Sequence, residues 1–325
     1  MIEEILPHLY RIEIPLPDNP LKAINSYIIK DQGRFLIIDT GMNREECMHK
    51  MVSSLKKLSV DLNKTSFFIT HMHADHLGLT AKLASDTSTV YLNSKEASMI
   101  DWIYSEERWQ RVNAFFCLNG FPEEELKKSI EGHPGRRYGP KRHIEFCPVN
   151  EGDIIKIGDY SFSCVETPGH TPGHMCLYET NKKVLISGDH ILMDITPNIN
   201  FSPEMDNALK QYLTNLEKVY ALDVDLILPG HRQIGNDHRR RIEELQGHHQ
   251  TRLNEILSAL EHGEKTAFEI ASYISWDLKY SSWESFPHSQ KLFAVGETLA
   301  HLELLEHNKL IQKQTRAQNM VFSLV

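Results

Sequence analysis

The 325-residue sequence predicts an α/β protein followed by a helical tail. Three observations point there. Apolar runs of strand length, such as Leu36-Ile37-Ile38 and Phe67-Phe68-Ile69, alternate with segments of helical periodicity up to about residue 236. Turn signals such as Pro15-Leu16-Pro17-Asp18-Asn19-Pro20 and Asp31-Gln32-Gly33 separate them. From Asp237 the pattern shifts to long helical repeats that finish in two strand-like segments.

Composition narrows the class. With 41% hydrophobic and 24% charged residues, the chain has ample material for a globular core. No apolar run approaches the ~20 residues needed to span a bilayer, so no membrane partner is expected. The acidic start, Met1-Ile2-Glu3-Glu4, lacks a signal-peptide core, which predicts a cytoplasmic protein. Cysteines 47, 117, 147, 164 and 176 are odd in number and scattered, and read as reduced thiols. A net charge of −9 argues against broad adhesion to nucleic acid.

Taken in order, Ile5 to Ile14 and Ile24 to Ile38 read as strands, and Asp39 ends the second as a turn residue or a site carboxylate. Arg44 to Leu58 is helical, and Phe67 to Thr70 is a strand. Its end carries His71, His73, Asp75 and His76. Residues two apart in extended chain share a side, so His71, His73 and Asp75 converge, and a helical turn after Asp75 swings His76 inward. Imidazole and carboxylate are ligands for zinc and similar cations, so this stretch is a metal motif.

Helix Leu77 to Ala84, strand Val90 to Leu92 and a helix from Ser94 follow. Residues 96–138 form a helical insertion rich in aromatics, including Trp102, Trp109, Phe115, Phe116 and Phe121. These aromatics either pack the insertion down or wall the metal site. Arg136, Arg137, Lys141, Arg142 and His143 read as a solvated loop. Strands 154–157 and 160–167 lead to a loop bearing His170, and His174 opens the next strand. Asp189 and His190 end the strand 184–188, Glu204 to Leu222 is a helix, and His231 follows the strand 226–228. In the tail, His238 to Glu261 and Lys291 to His307 are amphipathic helices, and Thr266-Ala267-Phe268-Glu269 is a capping box. The expected division is 1–236 and 237–325.

The motif His71-Met72-His73-Ala74-Asp75-His76 resembles the His-x-His-x-Asp-His signature of the metallo-β-lactamase superfamily. Asn25 to Gly41, Thr167 to His174, Ser187-Gly188-Asp189-His190 and Leu228-Pro229-Gly230-His231 resemble that family's other motifs, in its order. The resemblance implies an αββα sandwich and a dinuclear centre. His71, His73 and His170 would hold one ion, Asp75, His76 and His231 the other, and Asp189 would bridge. Two zinc ions are the default, with iron or manganese the alternatives. The implied activity is a hydrolase that uses a hydroxide shared between the metals on a small ester, thioester or lactone, with Asp75 and Asp189 as catalytic carboxylates. The tail resembles the winged-helix-like domain of a branch that includes nucleases of single-stranded RNA. RNA cleavage is therefore the alternative function, disfavoured by charge, and a packing or homodimer role for the tail is preferred.

Overall fold

A computed structural model describes residues 2–140, 142–277, 280 and 282–325. Strands β1 (Ile2–Leu6), β2 (Leu9–Pro15), β3 (Ala23–Asp31) and β4 (Arg34–Ile38) form an antiparallel meander. Helix α1 (Glu45–Lys57) crosses to β5 (Thr65–Phe68), parallel to β4. The short helices α2 (Ala74–Leu77) and α3 (Thr80–Leu83) precede β6 (Val90–Asn93). The insertion then supplies α4 (Ser94–Ile103), α5 (Glu106–Leu118), α6 (Glu123–Glu131) and α7 (Pro134–Tyr138) before β7 (Cys147–Val149). These strands make one sheet, ordered β1 to β7.

A second sheet contains β8 (Ile154–Ile157), β9 (Tyr160–Glu166), β10 (Met175–Glu179), β11 (Val184–Gly188) and, after α8 (Ala208–Tyr220), β12 (Leu226–Pro229). Helices α9 (His238–Leu260), α10 (Ala267–Tyr273) and α11 (His288–His307) follow, then the hairpin β13 (Ile311–Arg316) and β14 (Asn319–Leu324).

Side-chain alternation explains the layering. Ile29, Leu36, Ile38 and Phe68 of the first sheet meet Phe162, Leu177, Ile186 and Leu228 of the second in a core between the sheets. Their neighbours Ile28, Ile37 and Phe67 face outward onto Met51, Leu55 and Ile100 of α1 and α4. Cys176, Tyr178 and Leu185 turn the other way, onto α8 and the helices after it. Strands buried on both faces have no polar side, which is why they read as unbroken apolar runs. The result is the αββα sandwich.

The outer core on the second sheet is continuous with the tail. Trp109, Phe116 and Phe121 from the insertion share it with Ile270, Leu299 and Phe322. The capping box forms as expected, with Thr266 and Glu269 exchanging side-chain and backbone bonds. Some boundaries differ from the sequence expectation. The first expected strand is two, split at His8, whose φ is 67°. Helix α8 begins at Ala208 because Asn207, at φ 45°, caps it through a bond from Lys210 N–H (3.1 Å). Arg136 and Arg137 lie on α7, where Arg136 pairs with Glu106, while Lys141 falls outside the described residues.

One buried carboxylate links the halves of the sandwich. Glu96, on α4, is fully buried and accepts bonds from the Thr171 hydroxyl and the Gly173 N–H (3.0 Å). Its second oxygen has no partner. Burial pushes its pKa up from 4.5 to about 7, against those bonds. A carboxyl that holds its proton more tightly when folded contributes stability that is complete below the unfolded value and lost as pH rises through the folded one. Stability should therefore fall between pH 4.5 and 7, by up to ~1.4 kcal/mol per pH unit from this group. Glu96→Gln should flatten that part of the Tm profile; a variant profile parallel to the parent's would show that Glu96 does not titrate there.

Candidate metal centre

Every candidate ligand lies at one end of the sandwich, Asp75 and His76 on the short helix α2 and the others in loops. His71 to His76 follow β5, Asp189 follows β11 and His231 follows β12, all at carboxyl ends of strands, and His170 sits in the turn joining β9 to β10. Parallel strands open their carboxyl ends on one side, so two sheets can deliver their loops to one place.

The loops are held by bonds that also fix four of the imidazoles. Asp39 leaves β4 in the left-handed region (φ 58°), which Asp tolerates better than most side chains. Its Oδ1 accepts the Thr70 N–H (2.9 Å), and its Oδ2 accepts the Thr70 hydroxyl (2.8 Å) and His76 Nδ1–H (2.7 Å). Having donated to Asp39, the Thr70 oxygen accepts from His71 Nδ1 (3.1 Å). His170 Nδ1 donates to the Asn198 carbonyl (2.9 Å) and His231 Nδ1 to the Ala23 carbonyl (2.8 Å). In these four rings Nδ1 is committed outward, which aims Nε2 into the site.

The inward nitrogens form two adjacent clusters. His71 Nε2 and His170 Nε2 each lie 3.0 Å from His73 Nδ1. Burial and the neighbouring imidazoles hold His71 well below its ordinary pKa and His73 at about 3; burial also lowers His170. Neutral nitrogens converging this closely are a ready donor set for one cation. In the second cluster His231 Nε2 lies 3.3 Å from Asp75 and 3.5 Å from Asp189, and His76 Nε2 lies 3.5 Å from Asp189. Asp189 Oδ2 also lies 3.6 Å from His170 Nε2, so this carboxylate stands between the clusters.

The second cluster demands positive charge. Burial alone would depress His76, yet Asp39 and Asp189 raise it well above its ordinary value. His231 is likewise driven up to about 10, despite burial, by Asp189 and Asp75. Asp75 and Asp189 stay low against their own burial, owing chiefly to His231 and His76. The distances are those of ion pairs, but His76 Nε2, His231 Nε2 and Asp189 Oδ1 are buried with no hydrogen-bond partner. A divalent ion fits both requirements, since it supplies the charge and occupies the unpartnered atoms. The residues His71, His73 and His170; His71, His76 and Asp189; and Asp75, His76 and His231 each form a group that could hold a metal.

Further residues tune this arrangement. His174 accepts the Asp189 N–H at Nε2 (3.0 Å) and bonds Thr167 through Nδ1 (2.8 Å), so it positions Asp189 and both its nitrogens are already engaged. His190 packs edge-on against Tyr212 (5.3 Å) with both ring nitrogens unpartnered. Asn25 and Tyr27 bond the Pro229 carbonyl (2.9 and 2.8 Å), so the first sheet grips the loop that carries His231. A Cβ at Gly230 would collide with Asp189 and His76, which explains the glycine before His231. Asn198, Ala23 and Glu96 were not legible as site residues: two act through carbonyls, and the third is far from the motifs in sequence.

Comparison with known proteins agrees with this geometry. The family model of the Metallo-beta-lactamase superfamily matches residues 20–231. The hydroxyacylglutathione hydrolase GloC of Haemophilus influenzae is 28% identical over 182 residues, 55% of this chain and 70% of that protein. The probable metallo-hydrolase YqjP of Bacillus subtilis is 23% identical, with 91% and 92% of the two chains covered. A crystal structure of a metallo-beta-lactamase family protein from Thermus thermophilus superposes with a TM-score of 0.83 at 27% identity, over 99% of this chain and 100% of that one. With its motifs folded into one buried His/Asp site and the family model spanning well over half its length, the chain belongs to the metallo-β-lactamase superfamily.

Proposed function

We propose that this metal-dependent hydrolase carries two zinc ions and cleaves a small ester, thioester or lactone. The observation that supports the dinuclear reading is the pair of adjacent clusters with Asp189 between them. Divalent ions bound there lower the pKa of water from ~15.7 toward ~7 and polarise the bond to be cleaved. The chain's own groups prepare that chemistry. Asp39, Thr70 and the Asn198 and Ala23 carbonyls hold the ring tautomers. Asp189 keeps its charge while buried. Asp75, whose side chain is 13% exposed, is the more open carboxylate and can accept a hydrogen bond from an incoming water.

The insertion supports an acyl substrate. Tyr104 donates to the Met72 carbonyl (2.6 Å), between two candidate ligands, and α7 packs on α2. His133 lies between Trp109 (4.9 Å) and Phe293 (5.3 Å) and is near enough to sense the charge of Asp75. Burial holds its pKa near 4, so it is neutral at pH 7, and because Nδ1 accepts the Gly135 N–H (3.1 Å) its proton is on Nε2. The alternative RNA nuclease needs free cations on the tail. There, Lys313 pairs with Glu306 (2.7 Å), Arg316 with Glu264 (3.5 Å), and Arg240 and Arg241 with Glu244 (3.0 Å each). Cations already paired with carboxylates gain less from phosphate, so the acyl reading is preferred.

A turnover screen of the purified chain over thioesters, lactones and labelled single-stranded RNA decides between them; cleavage of RNA alone would reject the acyl reading. Elemental analysis should give about two transition-metal ions per chain. Asp189→Ala should lose at least one of them and most activity while remaining folded, and full occupancy with normal turnover would remove Asp189 from the bridging role.

The insertion's aromatics should separate by position. Trp109 is a core residue whose ring also flanks His133, so Trp109→Ala should cost ~3–5 kcal/mol of stability and change the relative rates on two acyl substrates less than loss of His133 does. His133→Ala should shift that rate ratio by about tenfold at constant metal content. An unchanged ratio in both variants would mean that this wall does not select substrate.

A further inference from the structure

The inner face of α9 carries buried polar residues that do not belong in an apolar stripe, His249 and Arg252 among them. Arg252 lies 3.4 Å from Glu297 of α11, itself only 6% exposed. Burying such a pair is weak evidence for stability, because desolvation can exceed the attraction. The pair therefore calls for another role, and its geometry supplies one.

Glu297 spends its other oxygen on the Asn198 side-chain amide, which donates to it (2.9 Å). Asn198 is the residue whose carbonyl receives His170 Nδ1–H (2.9 Å). A line thus runs from Arg252, by an ion pair without a hydrogen bond, to Glu297, and from there by hydrogen bonds through Asn198 to an imidazole of the candidate metal cluster. Burial would raise Glu297, but His248, His301 and Arg252 hold it at about 2, so the carboxylate is charged. Arg252 is fixed in turn by the Ser275 carbonyl (2.7 Å) and the Trp276 ring (4.1 Å).

The tail grips the same segment independently. Between β11 and α8 the chain has no helix or strand among the described residues. There, Arg241 of α9 donates to the carbonyls of Leu192 (2.7 Å) and Ile195 (2.9 Å), and Phe201 N–H donates to the Gly296 carbonyl of α11 (2.9 Å). A Cβ at Gly296 would strike the end of the Asn200 side chain, so the glycine gives that amide its present place.

We propose that the tail completes the metal site: Glu297, anchored by Arg252, is a positioning residue that acts through Asn198 to set the tautomer and aim of His170. The inference rests on His170 being a ligand, as proposed above. A carbonyl partner works only if it is held still, and a segment with no backbone ladder of its own must borrow rigidity from α9 and α11.

The test uses the full-length chain with zinc or cobalt(II) as probe. Asn198→Ala, on a half-buried loop, and Glu297→Ala break the line at two points. Each should weaken one of the bound ions by about 10-fold in competition with a chromophoric chelator, the low end for partners of a metal-bound histidine. Each should also alter the cobalt visible spectrum in the same way. The double variant should be no worse than the poorer single, because both act in series. Glu297→Gln should retain part of the affinity, since one amide can serve Asn198 or Arg252 but not both. Leu299→Ala, on the same helix, should lower Tm without changing affinity or spectrum. Variants that lose Tm yet keep parental affinity and spectrum would overturn the positioning role and leave the ligand assignment standing. A parental chain that binds no ion through His170 would overturn both.

Discussion

Two imidazole nitrogens, each 3.0 Å from a third and set beside two ionised carboxylates, are a costly thing to assemble in a buried pocket. In a low-dielectric site, uncompensated lone pairs and charges cannot turn to water for relief. The surrounding structure has to hold them against their own preferences. Asp39, the Thr70 hydroxyl and the Asn198 and Ala23 carbonyls each take one outward proton, which leaves the rings no alternative orientation. The loops that carry these groups come from both sheets, so the sandwich itself is the frame.

The two clusters solve the electrostatic problem differently. His71, His73 and His170 are pushed toward neutrality by burial and one another. His76 and His231 face carboxylates and are pushed toward the charged form. Asp189 touches both groups. A neutral triad and a set with two carboxylates meet at Asp189, so the two clusters offer a metal unequal ligand charge.

Much of this was legible in the sequence because metal ligands are side chains in short motifs at strand ends. The alternation of apolar residues made the strands visible; Asp189 was marked by the resemblance to the family's motifs, and Asp39 stayed open between a turn residue and a site carboxylate. The support could not be read the same way. A carbonyl has no identity in sequence, so nothing marked Ala23 or Asn198. Glu96 looked like an ordinary first-turn acid of α4 and proved to be buried against the turn that joins β9 to β10. His249 and Arg252 broke the apolar stripe of α9 without a visible partner, since Glu297 and His301 are some fifty residues away. The insertion was read as one piece, but its aromatics divide: Phe115, Phe116 and Phe121 serve the core shared with the tail, and Tyr104 and α7 lie against the ligand loop.

That shared core bears on why the tail is attached at all. If residues after Asp237 were only a docking module, their contact with the catalytic half would need no buried charge. Instead α9 and α11 reach, with Arg241, Arg252, Gly296 and Glu297, into the irregular segment that orients His170. An irregular segment is free to shape a pocket because no ladder dictates its path. The same freedom would let it blur the aim of a ligand. Packing it between a sheet and two helices keeps the shape and removes the blur, and buried polar contacts do this more selectively than apolar ones because they are satisfied in only one register.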